Sequence, residues 1–126
     1  MSDAGAVALA EMLTANATLD TLDLSYNRDI MTAGVAALAD ALHHNASLRS
    51  LDLASTSGGD EGVAAMATAL RRNATLTRLV LTSDEYFLGR PLSDAAIAAL
   101  REAARPGCRV VHDELEGVIF GSDSDA

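Results

Sequence analysis

The 126-residue chain has room for one domain with its own core, and 49% of it is apolar, chiefly Ala, Leu and Val with two Tyr, two Phe and no Trp. Eighteen acidic against nine basic side chains give a formal charge of −9, which repels a phosphate backbone and argues against nucleic acid as a ligand. One cysteine, Cys108, excludes an intrachain disulfide and points to a reducing, cytoplasmic compartment.

The opening residues, MSDAGAVALAEML, lack the basic start of a signal peptide, and Asp3 and Glu11 around a short Ala-rich run do not make a membrane span. They read as a turn and an amphipathic helix, with Val7, Leu9, Met12 and Leu13 at helical spacing. After Asn16 the period changes to two, and Leu22 and Leu24 alternate with polar residues as in a short strand from Thr21 to Ser25. The pattern then recurs. Gly34 leads into a second helix carrying Val35, Leu38, Ala41 and Leu42, and Asn45 precedes a strand with Leu51 and Leu53. Gly58-Gly59 reads as a tight turn, Val63, Met66, Ala69 and Leu70 mark a third helix, and Asn73 precedes a third strand with Leu79 and Leu81.

Two independent rulers agree on the repeat: Gly5, Gly34 and Gly62, and Asn16, Asn45 and Asn73, both advance by 29 and then 28 residues. A strand-and-helix unit that short cannot bury its own apolar side, so copies must stack with their strands parallel. Leu19, Leu22, Leu24, Leu48, Leu51, Leu53, Leu76, Leu79 and Leu81 are expected between the layers. The next offset, from Gly62 to Ala96 and from Asn73 to Gly107, is 34, so extra residues have entered the loop TSDEYFLGRPLSD. Ser93-Asp94 supplies an N-cap signal for a fourth helix from Asp94 to Ala104, which Pro106-Gly107 stops. Arg109 to His112 is a candidate fourth strand, with Leu115, Val118, Ile119 and Phe120 packing beyond it. The expected organisation is a single domain over 1–120, with a C-terminal cap at 94–120 and a disordered acidic tail at 121–126.

LDTLDLSYN, LRSLDLAST and LTRLVLTSD resemble the L-x-x-L-x-L-x-x-N core of leucine-rich repeats. The helix ending L-x-x-N-x-x-L is similar to the ribonuclease-inhibitor-like subclass, which includes repeats in nucleotide-binding innate sensors and in a GTPase-activating protein. The resemblance covers residues 2–81. It implies an α/β leucine-rich repeat solenoid, right-handed, with a parallel sheet of three or four short strands on the concave side and four helices on the convex side. Only Asn27 supplies the side chain expected at the end of the strand motif, where Thr56 and Asp84 stand in the other copies, so the Asn ladder under that turn is incomplete.

Asn16, Asn45 and Asn73 each open an Asn-Ala-Thr/Ser glycosylation pattern. Without a secretion signal the repeat explains them better: they fall where each helix turns toward its strand, a place suited to a residue that tolerates the left-handed conformation.

Sites for chemistry are scarce. His43 and His44 are adjacent on a helix and point about 100° apart, so they do not grip one metal together. Cys108 has no base at a recognisable spacing and reads as a structural thiol. No phosphate-binding, nucleophile-elbow or zinc-protease signature occurs, and no cofactor is expected. Asp23 and Asp52 occupy one place in adjacent copies and are expected about 5 Å apart on the exposed concave face, where nothing in the repeat pattern requires acids. The outward rows are Thr21, Ser50 and Arg78; Asp23, Asp52 and Val80; and Ser25, Ala54 and Thr82. Tyr26 follows the first strand, and its row runs through Ser55 and Ser83 toward the loop carrying Tyr86 and Phe87.

These residues predict a non-enzymatic protein-interaction module, with Asp23, Tyr26, Asp52, Arg78, Tyr86 and Phe87 as partner-binding candidates and a partner of basic character. The alternatives are a self-assembling segment, associating through the side of the first repeat, or part of a larger leucine-rich repeat protein such as a GTPase regulator or innate sensor.

Overall fold

The computed structural model describes residues 1–81, 93–104, 107–112 and 118–120. The sites expected at Tyr86, Phe87 and the rest of the 82–92 loop, at Leu115 and in the 121–126 tail lie outside these residues. Helices α1 (Asp3–Ala15), α2 (Thr32–Leu42), α3 (Gly59–Arg72) and α4 (Asp94–Ala103) alternate with strands β1 (Thr21–Asp23), β2 (Ser50–Asp52), β3 (Arg78–Val80) and β4 (Arg109–His112). The four strands run parallel in chain order, with Leu22, Leu51, Leu79 and Val110 in one register row. Successive helices pack on one another along the other side.

A fifth strand, β5 (Val118–Phe120), pairs antiparallel with β4, Val111 opposite Ile119. This departs from the all-parallel expectation. The reason is connection length, since only residues 113–117 join the strands and a parallel crossover needs a dozen or more.

The layers are held by side chains that reach from one copy to the next. Asp3 on α1 accepts from the backbone N–H groups of Met31 at 2.7 Å and Gly34 at 2.9 Å, capping a helix whose own N-cap residue, Met31, supplies no side-chain bond. Asp60, in the corresponding place on α3, accepts from Ser93 N at 3.0 Å ahead of α4. Ser93 then caps α4 itself, its Oγ accepting from Ala96 N at 3.1 Å. This reach explains the glycine at position 34. A Cβ on Gly34 would stand 2.6 Å from Asp3 Oδ1 and 3.0 Å from the Ala6 Cβ, so a side chain there would force the two helices apart.

The core lies between sheet and helices and is mostly leucine, with Leu38, Leu42, Leu51, Leu53, Leu76 and Leu79 buried. Seven of the nine expected leucines are buried, whereas Leu19 and Leu22 are only half-buried. Both belong to the first copy, whose strand pairs on one side only among the described strands. The same edge effect corrects the reading of α1: it buries Ala6, Ala10 and Leu13, while Val7 and Met12 are 38% and 39% exposed. In α2 and α3 every expected core position is buried.

The fourth copy is shorter than the 34-residue offset implied. Helix α4 has 10 residues where α3 has 14. Its closing residue Ala104, bonded N–H to Leu100 O, is the counterpart of Asn73, bonded N–H to Ala69 O. The chain therefore reaches β4 early, and Arg109 rather than His112 stands beside Arg78.

Candidate protein-interaction face

The register places the concave rows where the repeat predicts them: Thr21, Ser50 and Arg78 in one, Asp23, Asp52 and Val80 in the next. Alternation along each strand turns these side chains away from the leucine core. Thr21, Asp23 and Arg78 are exposed, and Ser50 and Asp52 are half-buried. Val80 shares the acidic row but is buried, so the open part of that row is Asp23 and Asp52.

Both carboxylates have a local task, which corrects the reading that nothing in the fold requires them. Asp23 Oδ1 accepts from Ser25 N at 2.9 Å and from Ser25 Oγ at 2.6 Å. Asp52 Oδ1 accepts from Ala54 N at 2.9 Å. Each acid closes an Asx turn where its strand ends, an arrangement open to any repeat whose strand leaves a backbone N–H unpaired two residues on. The hydroxyl and amide of Ser25 hold the Asp23 carboxyl below its ordinary value of 3.8, the Arg78 charge adds to this, and the slight desolvation opposes it. Asp23 is therefore ionised at neutral pH, fully exposed, with its second oxygen unused by these bonds. The pair can receive a cation or a donor from a ligand.

Tyr26 stands at the rim beside Asp23, 77% exposed, with a left-handed backbone at φ 63°. Ser55, its counterpart in the second copy, has φ 56°. The turn geometry therefore belongs to the repeat, while a bulky aromatic in a conformation that favours Gly or Asn is particular to the first copy. Just beyond, Asn27 Nδ2 donates to Leu24 O at 3.0 Å, and Thr56 Oγ makes the corresponding bond to Leu53 O at 2.9 Å. Threonine thus replaces one of the ladder bonds expected only of asparagine.

Arg78 leans back over β2, its Nη1 3.3 Å from Ser50 Oγ. Its neighbour Arg109 carries no mark in the sequence, because the shortening of α4 displaces the register from the one the 34-residue offset gives. Tyr86 and Phe87 lie outside the described residues. Away from this face, His43 and His44 line a shallow groove of about 490 Å³ with Asp40 and Arg72. Among the described residues no group of three or more His, Cys, Asp or Glu is placed to hold a metal ion. Cys108 is buried, and no described helix is long and apolar enough to cross a membrane.

Repeated strand, turn and helix, with leucines in register and polar rows facing out, define an α/β leucine-rich repeat solenoid. A family profile described as a leucine-rich repeat matches residues 15–39 and 44–67. Among solved structures, one titled Leiomodin-1 Actin-Binding Site 2 is similar in fold, with a TM-score of 0.70 and 21% identity over 82% of this chain and 57% of that one. The present chain thus spans little more than half the length of that structure. No curated protein matches it. Together these likenesses support a leucine-rich repeat protein.

Proposed function

We propose that the chain is a non-enzymatic protein-interaction module of the ribonuclease-inhibitor-like kind, taking a protein partner of basic character on its concave face and on the rim around residues 82–93. The observation that carries this is the acid pair Asp23 and Asp52, adjacent in register, the first exposed and the second half-buried, beside the exposed aromatic ring of Tyr26. Like charges side by side weaken a sheet, and a cationic partner relieves that repulsion. An exposed aromatic at the edge of a charged face is the residue type enriched in interaction hot spots. The helix ending L-x-x-N-x-x-L, present in the first three copies, supports the subclass. The similar solved structure is titled an actin-binding site, which fits a protein ligand in kind. A buried lone thiol fits a reducing, cytoplasmic setting.

The test is salt-gradient elution of proteins held by the immobilised chain, beside the Asp23→Asn/Asp52→Asn variant. A genuine partner elutes early or fails to bind the variant. Equal retention on both removes the concave acids from the interface.

A second reading has its own support. Asn45 and Asn73 donate to carbonyls of the preceding copy, but Asn16 Nδ2 has no partner among the described residues, and Val7 and Met12 on the same side are exposed. That side suits association with a second copy of the chain. Light scattering across a concentration series decides it: a mass that stays at 13.0 kDa at every concentration rejects self-association.

A further inference from the structure

Strand register sets Arg78 directly beside Arg109 on the open side of the sheet, about 5 Å apart between Cα atoms. Both are exposed, and the buried Leu79 and Val110 that follow them lock the two strands in that register. Like charges so placed repel. The chain carries twice as many acidic side chains as arginines, yet among the described residues none is set between these two strands at this row. Arg78 has Ser50 Oγ and the field of Asp23 as partial compensation. Arg109 uses its backbone N–H on Thr77 O at 2.8 Å, and its guanidinium has no partner among the described residues.

Two guanidinium groups at sheet spacing offer a fork of N–H donors to a carboxylate between them, a geometry arginine makes better than any other side chain. The acids lie two residues further along the neighbouring strands, so the centre of the acid pair and the centre of the arginine pair are about 12 Å apart on the face. The concave surface is therefore bipolar, running obliquely from Asp23 and Asp52 to Arg78 and Arg109.

We infer that Arg78 and Arg109 form a second contact, which takes an acidic side chain of the same protein partner whose basic residues meet Asp23 and Asp52; the inference rests on the function proposed above. The partner presents basic and acidic residues three to four positions apart in an extended segment, since each residue advances about 3.3 Å.

The probes are a capped Lys-Lys-Gly-Ser-Glu-Glu peptide, its reversed sequence, and capped tetralysine, titrated into the full chain at low salt and followed through backbone amide and arginine Nε–Hε NMR signals. One order of the bipolar peptide is expected to bind about threefold or more tighter than tetralysine, the gain of an added exposed ion pair. Its shifts centre on Arg78 and Arg109 rather than Arg71 and Arg72 on α3. The Arg78→Gln/Arg109→Gln variant loses the gain while binding tetralysine at least as well as the parent. An advantage that survives in that variant, or that neither peptide order shows while tetralysine still depends on the acids, overturns the inference and leaves the proposed function standing. If Asp23→Asn/Asp52→Asn binds tetralysine like the parent, the proposed function fails, and the bipolar partner with it.

Discussion

Asn73 donates its side-chain Nδ2 to the backbone carbonyl of Asn45 at 3.0 Å, and Asn45 donates in the same way to Asn16 at 3.0 Å. Each Nδ2 also reaches a carbonyl at the end of the preceding helix, Leu42 from Asn73 and Leu13 from Asn45. Each Oδ1 turns back to accept from the N–H groups two and three residues on, at 2.7 to 2.9 Å. One amide thus satisfies four backbone groups that a turning helix end leaves open. The atom a sugar would occupy is Nδ2, so the glycosylation pattern at Asn45 and Asn73 is engaged by the fold. The asparagine is selected for this donor-and-acceptor reach and not for a left-handed backbone: Asn16 and Asn73 are extended, at φ −87° and −89°.

The ladder predicts unequal costs for equal mutations. Asn45→Ala strands the buried Leu48 N–H and Leu13 carbonyl and the half-buried Ser47 N–H and Asn16 carbonyl, and is expected to cost about 3 to 5 kcal/mol. Asn16→Ala removes the bonds accepted from Thr18 N, the Thr18 hydroxyl and Leu19 N near the surface, and about 1 to 2 kcal/mol is expected. Urea unfolding of both variants measures the difference. Equal midpoints would show that the contacts between copies carry no net stability.

Leucines behave likewise. Leu51 is fully buried in the central copy, and Leu51→Ala is expected to cost about 2 to 5 kcal/mol, while the half-buried Leu22 in the same register row should lose less than half as much when truncated. A Leu51→Ala protein melting within a degree or two of the parent contradicts the layer assignment.

Asp23 makes stability depend on acid in a defined direction. Its carboxyl is held below 3.8, so its contribution is present above that value and is lost as pH falls through the lowered one. The Ser25 hydroxyl bond is the largest cause, so Ser25→Ala should bring the carboxyl back toward 3.8 without restoring it fully, because the Ser25 amide bond remains. Side-chain carboxyl NMR titration reads the midpoint directly. An unmoved midpoint assigns the depression to the amide or to Arg78 instead.

What the sequence made legible is what recurs. Leucine spacing, the Gly and Asn rulers and the strand rows all appear at least twice at one offset, and period alone located them. The features it hid are single events. The shortening of α4 moved Arg109 into the row of Arg78, and no second copy exists to reveal the shift. The exposure of Val7 and Met12 goes with a helix that packs on α2 alone among the described helices, which helical periodicity does not register. The Asx bonds of Asp23 and Asp52 depend on where each strand ends, and the strands end at Asp23 and Asp52 rather than two residues later. Tyr26 was placed beside the face correctly, yet its left-handed backbone follows from the turn and carries no sequence mark, since Tyr is the last residue that conformation would suggest.

That mismatch separates stability from binding at one residue. A non-glycine side chain in the left-handed region costs about 1 to 2 kcal/mol, part of which glycine returns through its greater freedom in the unfolded chain. Tyr26→Gly is therefore expected to stabilise by about 0.5 to 1 kcal/mol, since the ring is exposed and its departure opens no cavity. Ser55→Gly, at the same place in the next copy, should stabilise by a similar amount. The two variants then diverge in function: removing the ring weakens partner binding about tenfold if Tyr26 anchors the contact, whereas Ser55→Gly leaves affinity near the parent value. Thermal unfolding and a binding titration on the same two proteins make the comparison. Stabilisation without loss of binding would leave Tyr26 a turn residue and move the contact onto the charged rows alone.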